Sequence, residues 1–486
     1  MKMKIYNIKG LLLALSITIG MASCEKVLDI NKDPNNASTA TPKLVLPTAQ
    51  SQLGATIGYA WNWYGGMWAQ YWTGGYGVST SQVEYFNMVG SDVDGSWTRA
   101  YARSLEDMHY LQKSGQPIYA GMAKIMSAYL FQMLTDLHGD IPFSQALKGQ
   151  VEDGSITTPK YDKQEDVYAA LIPLIDEGIA GVTIVPAPGV VYQNPSSDDL
   201  MYGGDISKWV KFANTLKLKV LVRKGDYAGA KALIDAGTPF ITSASDEAKF
   251  RYFETAQNTN PLYARFMARA DVGMYFVASK TSVDTLKSLS DPRINKIYTI
   301  GTSGNVGVFS GDINDNTSLY PSGGANTKFD RPGPLTFDAT VPVFFISSWE
   351  SYFLQAEVLI RNGQNASTLF ENAVQASFDY FGAGSASSYV ATLGFTGTQD
   401  NQLNVLALQK WISMNGLQMV EGWLETVRFD RPGNDIFKGG IFHSPINNSL
   451  GANKFPSSFV LPQQEISYNP NSPKNVTVTS KRFWDN

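Results

Sequence analysis

Apolar residues recur every three or four positions along most of this chain, the spacing that lays a hydrophobic stripe down one face of a helix. From Pro117 to His138 the stripe runs through Ile118, Met122, Ile125, Met126, Tyr129, Met133 and Leu137, and Gly139 follows as a stop. Similar stripes predict helices near 44–64, 99–113, 163–180, 206–224, 227–236, 347–362, 367–382, 400–414 and 417–429. Pro173 weakens the reading over 163–180, because a proline inside a helix removes one backbone donor. Several stripes are joined by short turns, such as Gly225-Asp226 and Asn362-Gly363. Stacked helix–turn–helix pairs are the unit of tetratricopeptide-like scaffolds, although no strict 34-residue repeat is visible. The expected fold is therefore mostly α, built from such pairs.

Two stretches break the rhythm. Residues 183–205 and 290–345 are rich in Gly, Pro, Asn, Asp and Ser, and loops of that length usually carry function. The second embeds Tyr298, Phe309, Tyr320, Phe329 and Phe337. Both read as irregular, loop-rich elaborations on one helical domain spanning 43–486.

The N-terminus reads differently. Lys2, Lys4 and Lys9 precede an apolar run from Leu11 to Ile19, which is too short for a membrane-spanning helix and fits an export signal. It ends at Met21-Ala22-Ser23-Cys24, and Cys24 is the chain's single cysteine. Small residues before a lone cysteine look like a bacterial lipoprotein cleavage site. The other reading is ordinary signal cleavage with an incidental cysteine. On the first reading 1–23 is a signal peptide, Cys24 carries the lipid (palmitate among its acyl chains), and the polar segment 24–42 is a tether. Loss of three lysines and no acid takes the formal charge from −4 to −7. An acidic surface of that kind excludes nucleic acid as a partner.

One cysteine excludes a disulfide framework, and His109, His138 and His443 are too scattered for a histidine metal centre. Asp312-x-Asn314-x-Asn316 resembles the start of a calcium loop, but Thr317 stands where glycine is needed and Gly323 where glutamate is needed. Those three residues are the only calcium candidates, and no cofactor is expected. Nucleophile-elbow, phosphate-loop, H-E-x-x-H and dinucleotide motifs are absent. The acid pairs Asp136/Asp140 and Glu421/Glu425 read as solvated or capping carboxylates.

Aromatic residues are the best clue to a ligand. Tyr59, Trp61, Trp63, Tyr64, Trp68, Tyr71, Trp72 and Tyr76 fall within 18 residues. At about 100° per residue Trp61, Tyr64, Trp68 and Trp72 share one face, which suits a core better than a platform. Rings at a glycine-flanked loop mouth can stack on a sugar while nearby amides bond its hydroxyls. The ligand candidates on this logic are Trp72, Tyr76, Tyr85 and Trp97, with Tyr320 and Phe329 from the long loop.

Several segments, taken in order, carry a family resemblance. They are Leu28-Asp29-Ile30-Asn31-Lys32-Asp33-Pro34-Asn35 after the cysteine, Asp136-Leu137-His138-Gly139-Asp140-Ile141-Pro142-Phe143, and Asp291-Pro292-Arg293. Leu354-Gln355-Ala356-Glu357 through Arg361, Gln409-Lys410-Trp411, Glu421-Gly422-Trp423, Lys454-Phe455-Pro456 and Leu461-Pro462-Gln463-Gln464-Glu465 with Asn469 complete the series. Together they resemble the SusD/RagB family, in its SusD-like branch of Bacteroidetes outer-membrane lipoproteins. Val427-Arg428 stands where the family has two arginines, and Leu461 where it has a tyrosine. The resemblance implies a non-enzymatic, surface-exposed outer-membrane lipoprotein. Such a protein captures oligosaccharides, or in some members peptides, and passes them to a SusC-like TonB-dependent transporter. The alternatives are a surface glycoside hydrolase and a helical scaffold with no small ligand. The matched motifs do not name the glycan, its linkage or the transporter contacts.

Overall fold

The computed structural model describes residues 40–74, 81–255, 257–266, 276–310 and 329–485. The signal segment, Cys24 and nearly all of the tether lie outside them. The first helix, α1 (Pro42–Thr56), begins with Pro42 in its first turn, where a missing N–H costs nothing. A π-turn at Ile57–Trp61 carries it into α2 (Asn62–Trp68), and β1 (Trp72–Gly74) follows. A second π-turn, Ala100–Leu105, joins α3 (Gly90–Arg99) to α4 (Glu106–Gln112). Next come α5 (Pro117–His138), α6 (Gln164–Val182), α7 (Ile206–Arg223) and α8 (Tyr227–Asp235). Short elements fill the middle: β2 (Ala248–Phe250), β3 (Phe276–Ala278), α9 (Lys280–Ser288), β4 (Tyr298–Thr299), β5 (Arg331–Pro332) and β6 (Val343–Ile346). The chain closes with α10 (Ser348–Arg361), α11 (Ser367–Phe381), α12 (Gln399–Met414), α13 (Met419–Phe429) and α14 (Gln463–Tyr468).

Local chemistry sets many of these limits. Asp205, Asp226, Ser347 and Thr398 cap α7, α8, α10 and α12, each accepting a backbone N–H two or three residues on. Gly139, at φ 86°, ends α5. Pro173 sits inside α6 without ending it; the residue is exposed, so water can serve the freed carbonyl. Helices pack in sequential pairs, α5 with α6, α7 with α8, α10 with α11 and α12 with α13. The main hydrophobic cluster draws on residues from Leu46 to Trp484. The protein is mostly helical, with short antiparallel ribbons β1–β3, β2–β6 and β4–β5.

Described parts of both predicted loop regions are tied to the scaffold. In 183–205 the buried Asp199 carboxylate accepts from Gln50 Nε2 (2.7 Å), Trp209 Nε1 (2.8 Å) and the Gly204 amide (2.9 Å), tying the loop to α1 and α7. The region 290–345 holds β4, β5 and most of β6; its residues 311–328 are not among those described.

The acids read from sequence as solvated are mostly buried. Asp136, Glu421 and Glu425 pack with Arg223 and Lys219 from α7, and with Lys410 from α12. Arg428 bridges Glu425 and Glu357, each at 2.6 Å. Cations from neighbouring helices, which helix spacing alone does not place, make this burial possible, because a buried charge is tolerated only when paired. Asp140 alone behaves as read, pairing with the exposed Lys163 at 2.7 Å. Asp291 and Arg293 form a second buried pair. Trp411 stacks on Tyr71 at 5.0 Å, and a Cβ on Gly422 would strike that tyrosine's hydroxyl. The sequence landmarks are thus mostly devices that lock helices together.

Candidate functional site

The π-turn after α3 brings Trp97 and Tyr101 onto one side of the chain, with ring centroids 4.7 Å apart. The Trp97 ring meets the edge of His138 at 5.1 Å, and His138 ends α5. The Tyr101 hydroxyl donates to the Pro142 carbonyl at 2.7 Å, fixing the chain just beyond α5. Trp97, Tyr101 and Pro142 line a cavity of about 450 Å³ completed by Ala102, Ala146, Leu147 and Pro159, with Glu106, Gln150 and Glu465 as polar members. Apolar walls with few polar groups, at a volume within about 300–1,000 Å³, are the usual build of a small-molecule site.

The polar members are anchored to different degrees. Glu465 accepts from the Tyr161 hydroxyl at 2.7 Å. Glu106 and Gln150 are exposed and bond no described residue through their side chains. Burial holds the Tyr101 hydroxyl well above the ordinary phenol range, so it stays a neutral donor. Burial likewise pushes the His138 imidazole down to about 3, so it is neutral. Its Nδ1 is then the protonated nitrogen, donating to the Val460 carbonyl at 2.8 Å.

Of the six ligand candidates read from sequence, Trp97 is the one this cavity includes, but its ring is 5% exposed and packed on Tyr101 and His138, so it backs the wall and Tyr101 is the more accessible ring. Trp72 requires correction. It pairs through β1 with β3, packs on Phe276 and Phe337 at 5.3 and 5.7 Å, and is 1% exposed, so its ring offers no free face. Phe329 is also core rather than loop surface, clustered with Val277 and Val308. Tyr85 is half-buried, with its carbonyl accepting from Ser449. Tyr76, Tyr320 and the calcium candidates Asp312, Asn314 and Asn316 lie outside the described residues. Among the described residues no group of three His, Cys, Asp or Glu side chains could hold a metal. The face predicted as core is core: Trp61, Tyr64, Trp68 and Trp72 are all buried. Tyr101, Glu106 and Gln150 are missed by sequence reasoning. The four-residue step from Trp97 to Tyr101 was the available signal. Pro142 and Glu465 lay inside recognised motifs without a role in binding attached.

The helical scaffold neutralises its acids internally and carries an aromatic-walled cavity of a size that suits a small ligand. The sequence profile of the SusD-like family, described as starch-binding and associating with the outer membrane, matches residues 34–437, and the chain belongs to that family. No curated protein matches it. Among solved structures it is similar to a SusD/RagB family protein from Bacteroides thetaiotaomicron VPI-5482, at 22% identity and a TM-score of 0.72, covering 92% of this chain and 99% of that one. A SusD homolog from Bacteroides uniformis ATCC 8492 matches at 21% identity and 0.73, covering 91% and 99%. A chitin-binding protein matches at 24% identity and 0.73, covering 92% and 100%. Members of the family are outer-membrane glycan-binding proteins. No described helix is long and apolar enough to cross a membrane.

Proposed function

We propose that this protein is a surface lipoprotein that captures oligosaccharides and delivers them to a SusC-like TonB-dependent transporter, tethered through lipid on Cys24. The observation that carries the reading is the cavity walled by Trp97 and Tyr101 and rimmed by Glu106, Gln150 and Glu465. A ring face and separated hydrogen-bonding groups suit a sugar's apolar face and hydroxyls. The family description makes maltooligosaccharides one first ligand to test, and the chitin-binding relative adds chitooligosaccharides. A peptide is the other ligand class.

Calorimetric titration with both glycans and a mixed tripeptide tests this. Tyr101→Ala should weaken binding by about threefold to tenfold, the loss of one aromatic contact. Binding unaffected by Tyr101→Ala and by Gln150→Ala, in folded protein, refutes the assignment of the cavity.

The protein is read as a binder, not a hydrolase. Asp136 and Glu425, members of the acid pairs noted in the sequence, are held in buried ion pairs. Glu106 and Glu465 share the cavity, so overnight incubation with glycans is the direct check. New reducing ends that disappear in Glu106→Gln or Glu465→Gln would make the protein a glycosidase.

A further inference from the structure

A second cavity lies far from the aromatic one in chemistry. It measures about 270 Å³ and opens where α7, α10 and α13 end. Arg223, Lys224, Arg361, Arg428 and Arg431 line it, and no carboxylate is among its lining residues.

Most of that charge is already committed. Arg223 and Arg428 are buried and bonded to Asp136, Glu357, Glu421 and Glu425. They also answer the partial negative charge, about half a unit, at each helix C-terminus. Lys224 faces Asp226 at 3.3 Å.

Arg361 and Arg431 are different. Arg361 donates from Nε to Glu357 Oε1 at 3.0 Å, and its guanidinium lies over the Tyr227 ring at 4.6 Å. Among the described residues nothing accepts from its two Nη groups, so a planar donor fork is held in place with its outer edge open. Arg431 uses one Nη on Asp400, and its other side-chain donors bond no described residue. Beside them Asn404 and Asn434 bond each other reciprocally, at 3.0 and 2.8 Å, leaving one amide N–H of each unused in that exchange. The charged side-chain groups left unsatisfied at this wall are donors of Arg361 and Arg431.

We propose that this cavity binds a small oxyanion (a carboxylate, sulfate or phosphate), held by the Nη edge of Arg361 and by Arg431. A guanidinium edge matches two oxygens of such a group, and charge-assisted bonds are the strong ones. The volume lies just below that of ordinary small-molecule sites, which suits a lone anion or one acidic sugar rather than a chain. One face of Tyr227 is taken by Arg361, and Trp484 lies against Arg223 and is buried, so a stacked neutral sugar is not the expected guest. The inference is independent of the ligand assigned to the Trp97 cavity, and Tyr101→Ala should leave it unchanged.

Titration calorimetry with sodium sulfate, glucuronate and glucose, in a chloride-poor buffer, tests it. Saturable sulfate or glucuronate binding with a dissociation constant of about millimolar is expected, weakened at least about fivefold in Arg431→Gln and in Arg361→Gln. Glucuronate binding more tightly than sulfate would identify an acidic sugar as the source of the anion; sulfate alone would identify a free anion. Either result supports the site. Arg431 is partly exposed, so Arg431→Gln decides the matter if Arg361→Gln does not fold. No binding of either anion up to about 50 mM, glucose binding as well as glucuronate, or anion binding unchanged in Arg431→Gln overturns the proposal.

Discussion

Replacing Arg293 by methionine removes the cation from the most enclosed ion pair among the described residues. Both Asp291 and Arg293 side chains are 0% exposed. The guanidinium donates from Nε to Asp291 Oδ1 at 3.0 Å and from Nη2 to Oδ2 at 2.6 Å. Its other bonds reach Ser377 (2.9 Å), Ser413 (3.0 Å) and Gln409 (2.7 Å), so one side chain ties the segment before β4 to α11 and α12. Burial pushes the Asp291 carboxyl up, but Arg293 pulls it further down, and it sits below the ordinary carboxylate range. In Arg293→Met the carboxylate keeps the Tyr389 hydroxyl at 2.7 Å and loses its counter-charge. Breaking such a pair costs about 3–5 kcal/mol. The stranded acid can escape by taking a proton, which costs about 4 kcal/mol at pH 7 and about 1.5 kcal/mol at pH 5, from an unfolded value near 3.9. Destabilisation should therefore shrink as the pH falls from 7 to 5. For 486 residues the unfolding entropy is about 1 kcal/mol per kelvin, so Tm should drop by about 3–5 °C at pH 7. Asp291→Asn in the same background should recover most of the loss, since a neutral pair leaves no bare charge. Urea unfolding at both pH values measures each term. A double variant no more stable than Arg293→Met, or a loss that grows toward pH 5, would refute this account.

His138 gives a second pH prediction. Its folded value, about 3, lies below the unfolded value of 6.5, so the stability tied to its neutral form is lost as pH falls between them. His138→Asn keeps a donor for the Val460 carbonyl and removes the titration. The stability gap between wild type and variant should narrow by about 1.4 kcal/mol per pH unit from pH 6 to pH 4, and parallel curves would exclude the mechanism. At the N-terminus, Cys24→Ala should move the protein out of the membrane fraction, because firm attachment needs several acyl chains on one site. A variant that stays bound through detergent-free washes would reject lipidation at Cys24.

Helices were legible because their signals are local. The stripe from Ile118 to Leu137, opened by Pro117 and stopped by Gly139, predicts α5 with the bounds observed. The π-turns at Ile57–Trp61 and Ala100–Leu105 were not legible, since one extra residue per turn barely disturbs an apolar stripe. The second of these turns follows Trp97 and contains Tyr101, so part of the site's geometry was hidden with it. Trp72 was misread for a related reason. Glycines after it suggested a loop mouth, but β3, more than two hundred residues away, pairs with it and closes its ring against Phe276. Burial by a distant partner leaves no trace in the neighbouring sequence.

The same contrast explains why family landmarks identify the fold more readily than the ligand. Asp136, Arg293, Glu357, Gln409, Lys410 and Glu421 are buried and spend their hydrogen bonds on one another or on nearby helices. An apolar helix face tolerates sliding against another, whereas a charge left without its partner costs several kcal/mol, so each pair admits one register. That register places the end of α5, where Pro142 accepts from Tyr101 and His138 backs Trp97. It also places the start of α14, where Glu465 turns toward Tyr161. The landmarks thus build two walls of the cavity while touching its contents only at Pro142 and Glu465. Glu106 and Gln150, in the remaining lining, are exposed and make no ion pair with a described residue, so exchanging these two side chains alters what the cavity accepts without disturbing what positions it. Ligand choice is therefore written in residues that the packing leaves free, which is where a sequence motif has least reason to fall.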